Sequence, residues 1–247
     1  LRMDNLLGEF MGMLVLTTFG CGVCANLTLK GSKGVGGGWI CITAGWGFAV
    51  LMGVYTSVAL GAPQADINPS VTLAKTLAGV YSWPQFAATA VIQILGGMCG
   101  GIITWLAYLP HWAETEDQAA KLGIFCTAPA IRNTAANFLC EFIATFFLMF
   151  MIWMIFSKNV GGAAGLAPGF GPYLVAMLIW ALGLSLGGPT GYAMSGARDL
   201  GPRLAHAICP IAGKGGNDWG YAWVPVIAPL CGASFAFVVA KALGVLG

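Results

Sequence analysis

At 247 residues, 58% hydrophobic and 8% charged, with a mean hydropathy of +0.81, the chain carries more apolar surface than a water-soluble fold of this size can hide, so its natural solvent is the lipid bilayer. A net charge of +2 from scattered Lys and Arg forms no basic patch, which excludes nucleic acid as an implied partner. The eight cysteines sit mostly in apolar runs without ligand spacing, so no metal, cofactor or disulfide framework is expected.

Residues 6–29 are the first predicted span, long enough to cross the hydrocarbon core. The stretch before it lacks the basic flank and small-residue cleavage site of a secretory leader, so the span is read as retained. It carries Glu9 near its start, and its Cys21 and Cys24 are read as small apolar residues rather than a redox pair. A second span covers 39–60. Next comes a semi-polar cassette, Asn68-Pro69-Ser70-Val71-Thr72-Leu73-Ala74, which fits neither a full crossing nor an ordinary surface loop. The third span is 84–109. Residues 110–133, with Glu114, Glu116, Asp117, Lys121 and Arg132, read as one sizeable solvated loop, the wall of a vestibule. The fourth span, 134–156, again carries one acid, Glu141, and the fifth is 171–186. A second cassette, Ser195-Gly196-Ala197-Arg198-Asp199-Leu200-Gly201-Pro202-Arg203, precedes the sixth span at 221–246.

The halves share one order: a span bearing Glu, a second span, a cassette, a third span. Three crossings is an odd number, so the second copy enters the membrane upside down. This predicts a single all-α membrane domain over 1–247, built of six transmembrane helices and two re-entrant half-helices, with inverted repeats at about 1–109 and 134–247 joined by 110–133. Irregular backbone at that depth survives only when buried or lining water, so the cassettes are expected to line a cavity. Asn68 followed by Pro69 is a cap and a first helical residue, and Ser195 is a second cap. Two helix N-termini that face each other repel cations and hydrated protons while leaving room for a neutral hydroxylated molecule. Glu9 and Glu141 are costly in lipid unless satisfied, and backbone N–H groups of the neighbouring cassette are the expected donors. A proton relay is the other reading of these acids, and neither has an intramembrane His, Lys or second carboxylate at helical spacing. Arg198 is expected to face the cavity as a fixed hydrogen-bond donor and cation barrier rather than pair with adjacent Asp199, whose side chain points elsewhere on a helix.

Gly8-Glu9-Phe10, Ala44-Gly45-Trp46-Gly47, Asn68-Pro69-Ser70-Val71-Thr72, Gly188-Pro189-Thr190-Gly191-Tyr192-Ala193-Met194 and Ala197-Arg198-Asp199-Leu200-Gly201-Pro202 together resemble the major intrinsic protein family, and within it the glycerol facilitators. The likeness covers essentially the whole chain. It implies a multi-pass protein of a plasma or inner membrane, not an enzyme, that forms a homotetramer in lipid with one pore per protomer and both termini cytoplasmic. It also implies a selectivity filter of Trp46, Gly183, Tyr192 and Arg198. There Trp46 and Tyr192 wedge a carbon backbone, Arg198 binds hydroxyls, and Gly183 leaves width. Asp199 after the Arg is similar to the glycerol branch.

Two positions depart from the family pattern. Ser195-Gly196-Ala197 stands where a second Asn-Pro-Ala is usual, and Asp66 where His is common. Ser is a shorter cap and Gly196 gives up the preset geometry of Pro, so a wider pore centre is expected. Asp66 at the inner mouth is expected either to attract cations or hydrogen-bond polyols, or to be a loop cap satisfied by nearby backbone. The reading is therefore a passive channel for small neutral polar solutes, glycerol or a related polyol or diol, with water also considered. The alternatives are a facilitator for a protonated acid of the lactic type, urea or a metalloid hydroxide, and an ion-coupled secondary transporter.

Overall fold

The computed structural model describes residues 2–162 and 164–246. Among them every regular element is helical. Helix α1 (Met3–Thr28) is followed by α2 (Gly38–Ala59), the short α3 (Pro69–Leu77), α4 (Trp83–Ala107), α5 (Leu109–Glu114) and α6 (Gln118–Phe125). The second half contains α7 (Thr134–Ile155), α8 (Lys158–Gly161), α9 (Phe170–Leu186), α10 (Gly196–Ile208), α11 (Trp219–Ala222) and α12 (Val224–Ala242).

Five stretches, Asn5–Thr28, Gly38–Ala59, Trp83–Ala107, Thr134–Ile155 and Trp219–Ala242, are long and apolar enough to cross a membrane. The sixth span, α9, has 17 residues, about 25 Å at 1.5 Å per residue, the short end of the spanning range. Sequence-coded caps set several starts. Asn133 Oδ1 accepts from Ala136 N at 3.1 Å while its own N–H donates to Asn137 Oδ1 at 3.0 Å, and Ser82 caps α4 with Pro84 in the first turn.

Helix α1 packs against α2 and α4, α7 against α12, and α2 against α9. The first and third crossings approach so closely that a Cβ on Gly100 would lie 2.0 Å from Thr17 Oγ1. On the other side a Cβ on Gly232 would lie 2.3 Å from the Phe142 carbonyl. This is packing by small residues, which suits a solvent that supplies no hydrophobic drive between helices. The half-helix α10 rests on α4 and α12, and α3 on α12 and α4.

Residues 110–133 differ from the expected solvated loop. Two helices form there, and Trp112, Lys121, Ile124 and Phe125 are buried. The apolar residues drive this: Trp112 stacks on Phe125 with ring centroids 5.6 Å apart, and its indole N–H donates to the Trp105 carbonyl at 2.9 Å. The Lys121 ammonium is satisfied by the Ala212 carbonyl, which makes its burial affordable. The sixth crossing begins as the short α11 and stops at Ala242, where Leu243 and the left-handed Gly244 (φ +69°) end the helix before the expected 246.

Candidate pore and its constriction

The two half-helices start beside each other. Asn68 uses both ends of its amide: Oδ1 accepts from Ser70 N at 2.9 Å, capping α3, and Nδ2 donates to the Met194 carbonyl at 2.8 Å, just ahead of α10. Ser195 Oγ accepts from Arg198 N at 3.2 Å, capping α10 with Gly196 and Ala197 as its first residues. Pro69 occupies the first turn of α3. Ser70 is fully buried and its hydroxyl has no hydrogen-bond partner among the described residues.

Each approach to these caps is held by a buried glutamate. Glu9 Oε1 accepts from Asp66 N and Oε2 from Ile67 N, both at 2.7 Å, and Gln93 Nε2 adds a third bond at 2.8 Å. Glu141 mirrors this: Oε1 accepts from Thr190 Oγ1 at 2.7 Å and Ala193 N at 2.9 Å, and Oε2 from Met194 N at 2.9 Å. The backbone alternates through the left-handed region at matching places, Ala65 (φ 45°) and Ile67 (42°), then Tyr192 (40°) and Met194 (49°). Such angles are strained for non-glycine residues, Ile67 most of all. The carboxylates hold the N–H groups to one side, and no hydrogen bond within the described residues takes the carbonyls of Ala65, Asp66, Tyr192 or Ala193.

A cavity of about 430 Å3 runs past this junction, lined from Trp46, Tyr192 and Arg198 through Asn68 and Ser195 to Asp66 and Lys75. The Arg198 guanidinium carbon sits 3.8 Å from the Trp46 ring centroid, and Nη1 donates to the Phe125 carbonyl at 3.1 Å. Trp46 turns its indole N–H away onto Cys24 Sγ at 3.4 Å, and its ring lies where a Cβ on Gly20 would be, 2.2 Å from Cζ3. Gly183 does not line the cavity. A Cβ there would lie 2.8 Å from Tyr192 Cζ, and one on Gly187 would lie 2.5 Å from Tyr192 Cδ1. The width that Gly183 vacates is thus filled by the Tyr192 ring, which also meets Trp39 edge-on at 5.9 Å.

Asp199 faces away from the cavity and works as an anchor. It accepts from Thr127 N at 2.8 Å and Thr127 Oγ1 at 2.7 Å, and pairs with fully buried Arg203 at 2.8 Å. Arg203 in turn donates to the carbonyls of Thr127, Asn217 and Asp218. Residues 125–127 therefore clamp α10 from outside, with Phe125 on Arg198 and Thr127 on Asp199 and Arg203. At the far end of the cavity Asp66 Oδ1 pairs with Lys75 Nζ at 2.5 Å, and its carboxylate is wholly buried. Asp66 brings a second carboxylate near Glu9 through the cassette, a proximity that helical spacing does not reveal.

Lys75, Gln93, Gly20, Gly187, Cys24 and Phe125 were not foreseen as parts of this site. Lys75 and Gln93 had a legible signal, since polar side chains within membrane-embedded segments are rarely idle. The glycines and Cys24 had none, because their roles arise from which ring happens to pack against them.

A six-span membrane fold in which two capped half-helices meet beside an elongated cavity defines a transmembrane conduit of the aquaporin type. The chain belongs to the major intrinsic protein family, whose pattern matches residues 2–239. It is 50% identical, over 93% of its own length and 95% of the relative's, to the "Probable glycerol uptake facilitator protein" of Thermotoga maritima. It is 48% identical, over 97% and 96% respectively, to "Glycerol uptake facilitator protein 3" of Lactiplantibacillus plantarum. Among solved structures it is similar to the aquaglyceroporin from Plasmodium falciparum, with a TM-score of 0.84 and 25% identity over 97% of this chain and 95% of that one.

Proposed function

We propose that the chain is a passive channel for small neutral hydroxylated solutes, glycerol foremost, and that Trp46, Tyr192 and Arg198 are its selectivity filter. The observation that carries this reading is the single cavity joining those three side chains to the paired caps Asn68 and Ser195. Trp46 and Tyr192 offer apolar faces to a carbon backbone. Arg198, stacked on one of them, offers donors to its hydroxyls. The uncommitted carbonyls of the cassettes accept from the same hydroxyls further along. The halves 1–109 and 134–247 act as inverted repeats about the caps, and four protomers, each with its own pore and with cytoplasmic termini, assemble in the bilayer.

Reswelling of proteoliposomes in glycerol, after osmotic shrinkage, tests the reading against protein-free vesicles. Glycerol flux that persists when ion gradients are collapsed is the expected result. Flux that stops on collapse would mean a coupled transporter. Flux of urea or lactic acid without any polyol would replace the solute class.

Gly183→Ala tests the filter geometry. The added methyl overlaps the Tyr192 ring, which has no retreat past Gly187 and Trp39, so the ring moves into the cavity. Glycerol reswelling is expected to slow by about tenfold, the scale of an overpacking cost of 1–3 kcal/mol placed on the open conformation. An unchanged rate would mean that Tyr192 does not set the constriction.

A further inference from the structure

The end of the cavity remote from Arg198 carries an ion pair whose two members differ in exposure. Of the two roles expected for Asp66, meeting the solute or capping the loop, the first requires an accessible carboxylate, but that side chain is 0% exposed, whereas its partner Lys75 is 14% exposed and lines the cavity. Lys75 Nζ donates to Asp66 Oδ1 at 2.5 Å and, at longer range, to Oε1 and the carbonyl of exposed Gln64 at 3.0 and 3.4 Å, contacts that a solute can displace. Tyr81 lies close to the same carboxylate, although neither its hydroxyl nor Asp66 Oδ2 completes a hydrogen bond within the described residues. Asp66 N donates to Glu9 and Lys75 occupies the last turn of α3, so both members of the pair are fixed to the cassette.

We propose that Lys75 is a second selectivity post, a hydrogen-bond donor and cation barrier at the mouth opposite Arg198, with Asp66 as the buried residue that positions it. This deepens the channel reading and rests on it. The two charges nearly cancel at a distance, but a solute at the wall meets the ammonium first, because the carboxylate lies behind it. The mouth therefore favours neutral solutes with hydroxyl acceptors and disfavours small organic cations such as methylammonium. The two posts sit on different half-helices, Arg198 in the first turn of α10 and Lys75 in the last turn of α3, so a permeating molecule passes both in series.

Because series barriers mask one another, the test removes the first. In proteoliposomes of Arg198→Ala, the methylammonium-to-glycerol permeability ratio is measured with and without Lys75→Met. The ratio is expected to rise at least about threefold, since the substitution removes the ammonium and uncovers the carboxylate. The combination Asp66→Asn with Lys75→Met, which leaves no buried charge unpaired and so also serves if Lys75→Met fails to insert, is expected to give a smaller rise in the same direction. An unchanged ratio in either well-folded variant overturns the proposal. Absence of glycerol flux in the wild-type protein would instead overturn the channel reading, a distinct result.

Discussion

Replacement of Arg198 by alanine is expected to turn an ion-tight passage into one that leaks protons and small cations, at least about tenfold above wild type in vesicles loaded with a pH-sensitive dye. The guanidinium is buried against Trp46 and, among the described residues, has no carboxylate partner, since Asp199 is committed to Arg203 and Thr127. Its charge is therefore felt in the cavity. At an effective dielectric near 20, a unit charge about 4 Å from a permeating cation opposes it by about 4 kcal/mol. That is nearly a thousandfold in occupancy, at about 1.4 kcal/mol per tenfold. The N-termini of α3 and α10 retain part of the barrier, so the observed leak falls short of that ceiling.

Neutral solutes respond differently to the same change. Loss of the guanidinium removes donors and frees the Trp46 face, so discrimination among polyols loosens while glycerol flux changes less than the leak. Arg198→Lys separates charge from shape. An ammonium keeps the charge but cannot lie flat on the indole while donating to the Phe125 carbonyl, so low leak with loosened selection is the expected signature. Equal leak from Lys75→Met and from Lys75→Met with Arg198→Ala, where the second post cannot mask the first, would remove Arg198 from the ion barrier.

Legibility in the sequence followed the range of the interaction. The spans were readable because a bilayer demands long apolar runs, and the caps because Asn68-Pro69 and Ser195 act on backbone two or three residues away. The fifth span was placed within one residue of α9. Contacts between distant segments were less readable. The expected vestibule wall folds into α5 and α6 and sends the Phe125 carbonyl to Arg198, a bond across 73 positions that composition cannot signal. Its five charged residues pulled the reading toward solvent, while the burial of Lys121 depends on a carbonyl 91 positions away. Gly183 shows the same limit in reverse: its smallness was noticed, but the ring that takes the space comes from the second cassette. Asp66 was visible as an unusual residue, and Lys75, nine positions on, reverses the sign of the charge that faces the cavity.

Glu141→Ala, in α7, is expected to destabilise the protein strongly, because two effects release together. The carboxylate accepts from Ala193 N, Met194 N and the Thr190 hydroxyl. Its removal strands two buried backbone N–H groups at about 1–3 kcal/mol each, or about 2–6 kcal/mol in all. The same bonds hold Tyr192 and Met194 at φ of 40° and 49°, conformations that cost about 1–3 kcal/mol apiece and persist only when their surroundings impose them. Without the carboxylate the backbone is free to relax, and the Tyr192 ring leaves the filter with it. Glu141→Gln is expected to fall between, since its single carbonyl oxygen can serve only one side of the site and its NH2 must face a backbone N–H. The order wild type, Gln, Ala in apparent Tm of the detergent-solubilised protein checks the hydrogen-bond account, and the order of polyol discrimination in vesicles checks its coupling to the filter. A stable Glu141→Ala protein with intact discrimination would mean that the cassette holds its strained geometry without the glutamate. The Asn68 Nδ2 bond to the Met194 carbonyl would then be the support that remains, because it ties the same strained residue to the opposite half-helix.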